Sequence, residues 1–201
     1  MSKIKLCGLT RPRDIEVANE LKPEYIGFVF APKSRRRVTP DTAAALKRAL
    51  RPDIAAVGVF VDEAPETIAE LLGAGIIDIA QLHGREDNRD IARLRRLTGR
   101  PIIKAFRIAG EEDIRAARES EADFVLLDSG GGSGSAFDWR LVRDVERPFF
   151  LAGGLDDTSV VRAIKTLRPY AVDVSSGIET DGLKDEVKMR AFVRAAREAG
   201  E

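Results

Sequence analysis

Residues 149–177 open with Phe149-Phe150-Leu151-Ala152-Gly153-Gly154. A stretch from Asp156 to Leu167 with apolar residues at helical spacing follows, and the segment closes on Ala171-Val172-Asp173-Val174-Ser175-Ser176-Gly177. A short apolar run, a glycine turn, a helix and a second apolar run form the repeating unit of a parallel sheet. The same alternation extends back to the start of the chain. The spacing predicts strands at Ile4–Cys7, Tyr25–Phe30, Ala55–Val61, Ile76–Leu82, Pro101–Phe106 and Ala122–Leu127. Between them it predicts helices at Pro12–Leu21 (Thr10 as cap), Pro40–Leu50, Pro65–Leu72, Asn88–Leu97 and Glu111–Glu119. A glycine loop and a short segment, Asp138–Val145, follow the sixth strand, and a long helix at Lys184–Ala199 ends the pattern. Ile26-Gly27-Phe28-Val29-Phe30 and Phe124-Val125-Leu126-Leu127 are apolar on both faces, as parallel strands covered on both sides are. Eight strand–helix units in 201 residues favour a compact, single-domain (β/α)8 barrel over the whole of residues 1–201, with a doubly wound open sheet as the alternative.

Composition narrows the function. Basic and acidic side chains number 33 each, a balance that argues against a nucleic-acid partner. The single Cys excludes an internal disulfide and a cysteine metal cluster, and with one His besides, a metal site is not expected. No apolar run reaches the roughly 18 residues that a bilayer span requires, so no membrane partner is expected. Charges occupy the first residues, where a signal peptide needs an apolar core. These features predict a soluble protein in a reducing, cytoplasmic setting.

In a barrel of this kind the functional residues follow the C-terminal ends of strands. Unusual residues gather there. Cys7-Gly8 ends the first predicted strand, Ser34-Arg35-Arg36-Arg37 follows the second, Gln81-Leu82-His83-Gly84 ends the fourth and Asp128 the sixth. Gly153-Gly154 and Ser175-Ser176-Gly177 follow the seventh and eighth, where barrels frequently hold phosphate on closely approaching backbone N–H groups. The run Gly130–Gly134 reads either as a lid or as a plain flexible loop. Cys7 is either a small buried hydrophobe or a reactive thiol at the barrel mouth. Asp128 either caps the glycine run or works as a carboxyl group. His83 reads as a ligand, an acid–base group or a packed hydrogen-bonding residue. The arginine run is either a solvated face or, for at least one member, the binding site of an anion.

Taken in order, these segments carry a family pattern. Its landmarks are Lys5-Leu6-Cys7-Gly8-Leu9-Thr10, Gly27-Phe28-Val29-Phe30, Ser34-Arg35-Arg36-Arg37-Val38 and Val57-Gly58-Val59-Phe60. They continue with Gln81-Leu82-His83-Gly84, Gly131-Gly132-Ser133-Gly134 and Phe137-Asp138-Trp139. Leu151-Ala152-Gly153-Gly154-Leu155, Asp173-Val174-Ser175-Ser176-Gly177-Ile178-Glu179 and Gly182-Leu183-Lys184-Asp185 complete the set. Over essentially its whole length the chain resembles the phosphoribosylanthranilate isomerase family of tryptophan biosynthesis. The resemblance implies an Amadori rearrangement of a phosphorylated aminoaldose to an aminoketose, with no metal or organic cofactor. It implies Asp128 as general acid at the ring oxygen and Cys7 as general base at C2. Arg36 would bind the anthranilate carboxylate and Asp173 the bridging amine. Gly132, Ser133, Gly134, Gly153, Gly154, Ser175 and Ser176 would hold phosphate, and His83 is expected among the substrate-binding residues. Arg35 stands where relatives often carry Pro, and Ser133 where Thr is common.

Such chemistry predicts that the Cys7 thiol falls and the Asp128 carboxyl rises from their ordinary ranges. The resemblance leaves a monomer and a homodimer equally open. Two rivals remain at this level. One is the histidine-pathway aminoaldose isomerase, whose family carries Asp in place of Cys7 and a second phosphate site. The other is a non-catalytic binder of phosphorylated metabolites, which would need neither Cys7 nor Asp128.

Overall fold

The computed structural model describes residues 1–130, 142 and 145–200. The expectations for Gly132, Ser133, Gly134 and most of the Asp138–Val145 segment lie outside the described residues. Eight parallel strands close into a barrel: β1 (Lys3–Cys7), β2 (Tyr25–Val29), β3 (Ala55–Phe60), β4 (Ile79–Leu82), β5 (Ile102–Arg107), β6 (Phe124–Asp128), β7 (Phe149–Ala152) and β8 (Ala171–Val174). β1 pairs with both β2 and β8, which closes the ring and rules out the open sheet. The described helices are α1 (Pro12–Leu21), α2 (Pro40–Ala49), α3 (Pro65–Gly73), α4 (Asn88–Thr98), α5 (Glu111–Glu119), α6 (Ser159–Leu167) and α7 (Glu186–Glu198). Between β8 and α7 a short 3₁₀ turn, Ser176–Ile178, leads into the hairpin of β9 (Glu179–Thr180) and β10 (Leu183–Lys184).

Strand parity divides the barrel into two layers. Ile4, Leu6, Val125, Leu127, Val172 and Val174 point outward into the main core beneath the helices. Residues of opposite parity, among them Tyr25, Val57, Ile79, Ile103, Leu126 and Phe150, fill the interior. With this period of two, the last inward position of each strand reaches the barrel mouth at the C-terminal end. Cys7 therefore packs with Val29 and Val59 at the top of the interior.

Several boundaries differ from the sequence expectation, each for a local reason. β4 begins at Ile79, because Ile76 N–H still bonds back to Leu71 and Asp78 N–H to Ala56 outside the ladder. Thr10 is not the cap of α1. The N-cap position is Arg11, and Asp14 reaches back to accept from both Thr10 N–H (2.9 Å) and Arg11 N–H (3.0 Å). α6 starts at Ser159, since Asp156 accepts from the Thr158 and Ser159 N–H groups as a turn residue before it. Lys184 belongs to the hairpin, and Asp185 caps α7 by accepting from Val187 and Lys188.

Candidate active site

A cavity of about 630 Å³ opens at the C-terminal end of the barrel, within the size range of small-molecule sites. Cys7, Arg36, His83, Asp128, Gly153, Gly154, Asp173, Ser175 and Ser176 all line it. Every described residue expected at the site therefore faces one space. Ser34, Gln81 and Arg107 share that lining.

Beneath the cavity lies a buried ion pair. Lys5, two residues before Cys7 on the same inward face, is fully buried and donates to Asp173 Oδ2 at 2.9 Å. Asp173 Oδ1 is buried without a partner among the described residues. Burial pulls the Lys5 ammonium toward neutrality, but the Asp173 carboxylate and the Cys7 thiol outweigh it and raise its pKa. For Cys7 the balance is reversed. Burial pushes the thiol up, Lys5 and Lys184 draw it down, and the net shift is upward.

Asp128 ends β6, three strands round the ring from β1. Its Oδ1 accepts from Gly130 N–H at 2.8 Å, and its Oδ2 lies 3.6 Å from His83 Nε2. Burial disfavours the carboxylate, yet His83, the Gly130 N–H and Arg107 together hold its pKa below the ordinary range. The expected convergence of the two groups is thus corrected: the thiol stands high because it is desolvated, and the carboxyl stands low because donors surround it. Gln81 Nε2 lies 3.0 Å from His83 Nδ1. The turn bearing His83 is fixed from behind, where Lys104 donates to Gly84 O at 2.7 Å and to Glu86 Oε2 at 2.9 Å.

The arginine run resolves into three environments. Arg37 is exposed, and Arg35 is largely exposed but reaches Glu179 Oε2 at 2.7 Å. Arg36 alone of the three lines the cavity. Its Nε donates to Glu179 Oε1 at 2.5 Å and its Nη2 to Glu179 Oε2 at 2.8 Å. Lys184, also buried, donates to Glu179 Oε1 at 2.6 Å and to Ser175 O at 2.9 Å. Ser175 Oγ in turn donates to Cys7 O at 3.1 Å. Burial works against the Glu179 carboxylate, but the bonds from Arg36 and Lys184 dominate and hold its pKa down at about 2.

Gly153 shows why the turn after β7 needs glycine. Its φ is +97°, and a Cβ there would lie 2.7 Å from Asp128 Oδ1 and collide with Ser129. The turn thus brings backbone to within contact of the carboxyl group. Sequence reading passed over Lys5, Gln81, Arg107, Glu179 and Lys184 as functional positions. The first three were accessible by parity, since each lies two residues from a flagged position or at an inward strand end. Glu179 and Lys184 carry no such local signal.

Among the described residues, no group of three or more His, Cys, Asp or Glu side chains is arranged to hold a metal ion, and no helix is long and apolar enough to cross a membrane. A closed eight-stranded barrel with a thiol, two carboxyl groups, an arginine and a glycine–serine cradle around one mouth has the make-up of an acid–base barrel enzyme. The sequence profile described as N-(5'-phosphoribosyl)anthranilate (PRA) isomerase matches residues 4–195. An N-(5'-phosphoribosyl)anthranilate isomerase of Acetivibrio thermocellus is 44% identical, covering 99% of this chain and 97% of its own. The crystal structure of phosphoribosyl anthranilate isomerase from Thermotoga maritima superposes with a TM-score of 0.89 at 37% identity, covering 98% of this chain and all of that one. A further structure of such an isomerase, in complex with reduced 1-(o-carboxyphenylamino)-1-deoxyribulose 5-phosphate, gives 0.87 at 36% identity, covering 98% of this chain and 100% of that one. The chain belongs to the N-(5'-phosphoribosyl)anthranilate isomerase family, whose members are aldose–ketose isomerases.

Proposed function

We propose that this chain converts N-(5-phosphoribosyl)anthranilate to 1-(2-carboxyphenylamino)-1-deoxyribulose 5-phosphate, with Cys7 and Asp128 as the proton-transfer pair. The observation that carries the reading is that both line one cavity with Arg36, Asp173 and the turns after β7 and β8. Asp128 protonates the furanose ring oxygen, the C1–O bond breaks, and the amine lone pair forms the iminium. Cys7 as thiolate removes the C2 proton. The resulting enolamine becomes the ketone as C1 takes up a proton and the C2 hydroxyl gives one up.

Each neighbour has a part in this sequence. Asp173 Oδ1, buried and unpartnered, accepts the N–H of the bridging amine. Arg36 pairs with the ring carboxylate, and Gly153, Gly154, Ser175 and Ser176 take the phosphate, with Gly132, Ser133 and Gly134 as further donors. His83 stands against Asp128, with Nε2 3.6 Å from Oδ2, and holds its orientation.

The resting charges are the reverse of those the first step uses, since Asp128 is held ionised and Cys7 protonated. A bound carboxylate and phosphate bring negative charge into the cavity and raise the affinity of Asp128 for a proton. Lys5 and Lys184 favour the thiolate. On this reading the ligand is a phosphorylated small molecule, like the one bound by the relative in complex with reduced 1-(o-carboxyphenylamino)-1-deoxyribulose 5-phosphate.

The test is a fluorescence assay with phosphoribosylanthranilate generated in situ, run beside the bis-phosphorylated histidine-pathway aminoaldose. Turnover of the first substrate is expected. Turnover of the second alone refutes the assignment.

A further inference from the structure

We infer that Glu179 is a positioning residue for Arg36, setting the edge of the guanidinium that meets the substrate carboxylate. The inference rests on the carboxylate-binding role given to Arg36 above.

A guanidinium is planar and has five N–H donors, which form two bidentate edges. Glu179 occupies the side edge, Nε and one hydrogen of Nη2, at 2.5 and 2.8 Å. The end edge, Nη1 with the second hydrogen of Nη2, has no partner among the described residues and is available to another carboxylate. Because the group is rigid, fixing one edge fixes the direction of the other. Arg36 lines the cavity while Glu179, 8% exposed, sits behind it outside the lining. The arginine stem is held as well, since a Cβ on Gly8 would lie 2.5 Å from Arg36 Cδ.

Glu179 is itself anchored. Lys184 donates to the same oxygen as Arg36 Nε, and the β9–β10 pairing sets Lys184 directly opposite Glu179. Lys184 also bonds Ser175, which bonds the backbone carbonyl of Cys7. One hairpin therefore ties the carboxylate-binding arginine, the turn after β8 and the base-bearing strand into one hydrogen-bonded chain. Arg35 and Lys184 also donate to Glu179, so the cluster of Arg35, Arg36, Glu179 and Lys184 keeps a net positive charge toward an anion.

The experiment compares Glu179→Gln, Glu179→Asp and Arg36→Ala on two substrates. One is phosphoribosylanthranilate and the other is N-phosphoribosylaniline, which lacks the ring carboxylate. Glu179→Gln is expected to raise KM for the first substrate roughly 3- to 10-fold, the scale of immobilising one rotamer-rich side chain on binding, with kcat changed less than about 2-fold. KM for the aniline substrate stays unchanged. Glu179→Asp keeps the charge but shortens the reach, and is expected to raise the same KM, which separates geometry from charge and provides a second variant if the first folds poorly. Equal losses on both substrates overturn the inference, because a merely structural Glu179 would act that way. An unchanged KM in both Glu179 variants, with a raised KM in Arg36→Ala, overturns it while leaving the role of Arg36 intact. An unchanged KM in Arg36→Ala overturns that underlying role instead.

Discussion

Replacing Lys5 by Met removes the only partner, among the described residues, of a buried carboxylate oxygen while keeping the side-chain volume. In the native barrel Lys5 is fully buried and holds Asp173 Oδ2 at 2.9 Å, and Asp173 Oδ1 has no partner among the described residues. The variant would leave both oxygens of a nearly buried carboxyl group without the ammonium. Breaking such a pair from one side costs about 3–5 kcal/mol, chiefly as uncompensated charge. No cavity penalty is added, because methionine fills the stem's space. At about 2–4 °C per kcal/mol for a chain of this length, the melting temperature should fall by roughly 6–20 °C. The assay is urea denaturation followed by far-UV circular dichroism, repeated on the double variant Lys5→Met/Asp173→Asn. That double variant should recover most of the loss, since no buried charge is then stranded. A loss below about 1 kcal/mol in Lys5→Met, or a double variant no more stable than the single, would refute this account of the pair.

Other consequences can be checked separately. Cys7→Ala and Asp128→Asn should each lower kcat by about 10²–10⁴-fold with the fold retained by circular dichroism, and near-native turnover in either removes that residue from proton transfer. In Lys5→Met the thiol loses a neighbour that draws its pKa down, so the thiolate absorbance of Cys7 should titrate at higher pH than in the parent protein. The folded pKa of Glu179, about 2, lies below its unfolded value, so its ion pairs stabilise the fold above the ordinary glutamate range and are lost as pH falls toward 2. Acid unfolding monitored from pH 5 to 2 should therefore be shallower in Glu179→Gln. Gly27→Ala would place a Cβ 2.6 Å from Cys7 Sγ, and should cost about 1–3 kcal/mol in urea titrations while displacing the thiol.

The barrel was legible because its information is local. Runs apolar on both faces, such as Phe124–Leu127, and glycine or proline at the breaks mark parallel strands without any knowledge of their partners. The cap of α1 and the start of α6 were misread where a side chain captures backbone donors before a helix, as Asp14 and Asp156 do. Cys7, His83 and Asp128 were visible as polar exceptions at strand ends, and the same parity could have picked out Lys5 and Arg107. Glu179 was not visible as a functional group, because its meaning lies in Arg36, 143 positions away. The pKa directions were misjudged for a related reason. Burial of Asp128 could be guessed from an apolar strand, but the donors that overrule it come from His83, Arg107 and the Gly130 backbone, and only the folded chain assembles them.

The chain has one cysteine and one histidine, and both face the same cavity. Native chemistry thus supplies two spectroscopic addresses inside the site, one on each side of the reacting centre. A thiol reagent can modify a single atom per chain, and its rate reads the protection of Cys7. A single imidazole resonance reports on the neighbourhood of Asp128. Occupancy, ionisation and ordering at the barrel mouth can therefore be followed in the unaltered protein, without the background signals that usually force such residues to be mutated away elsewhere.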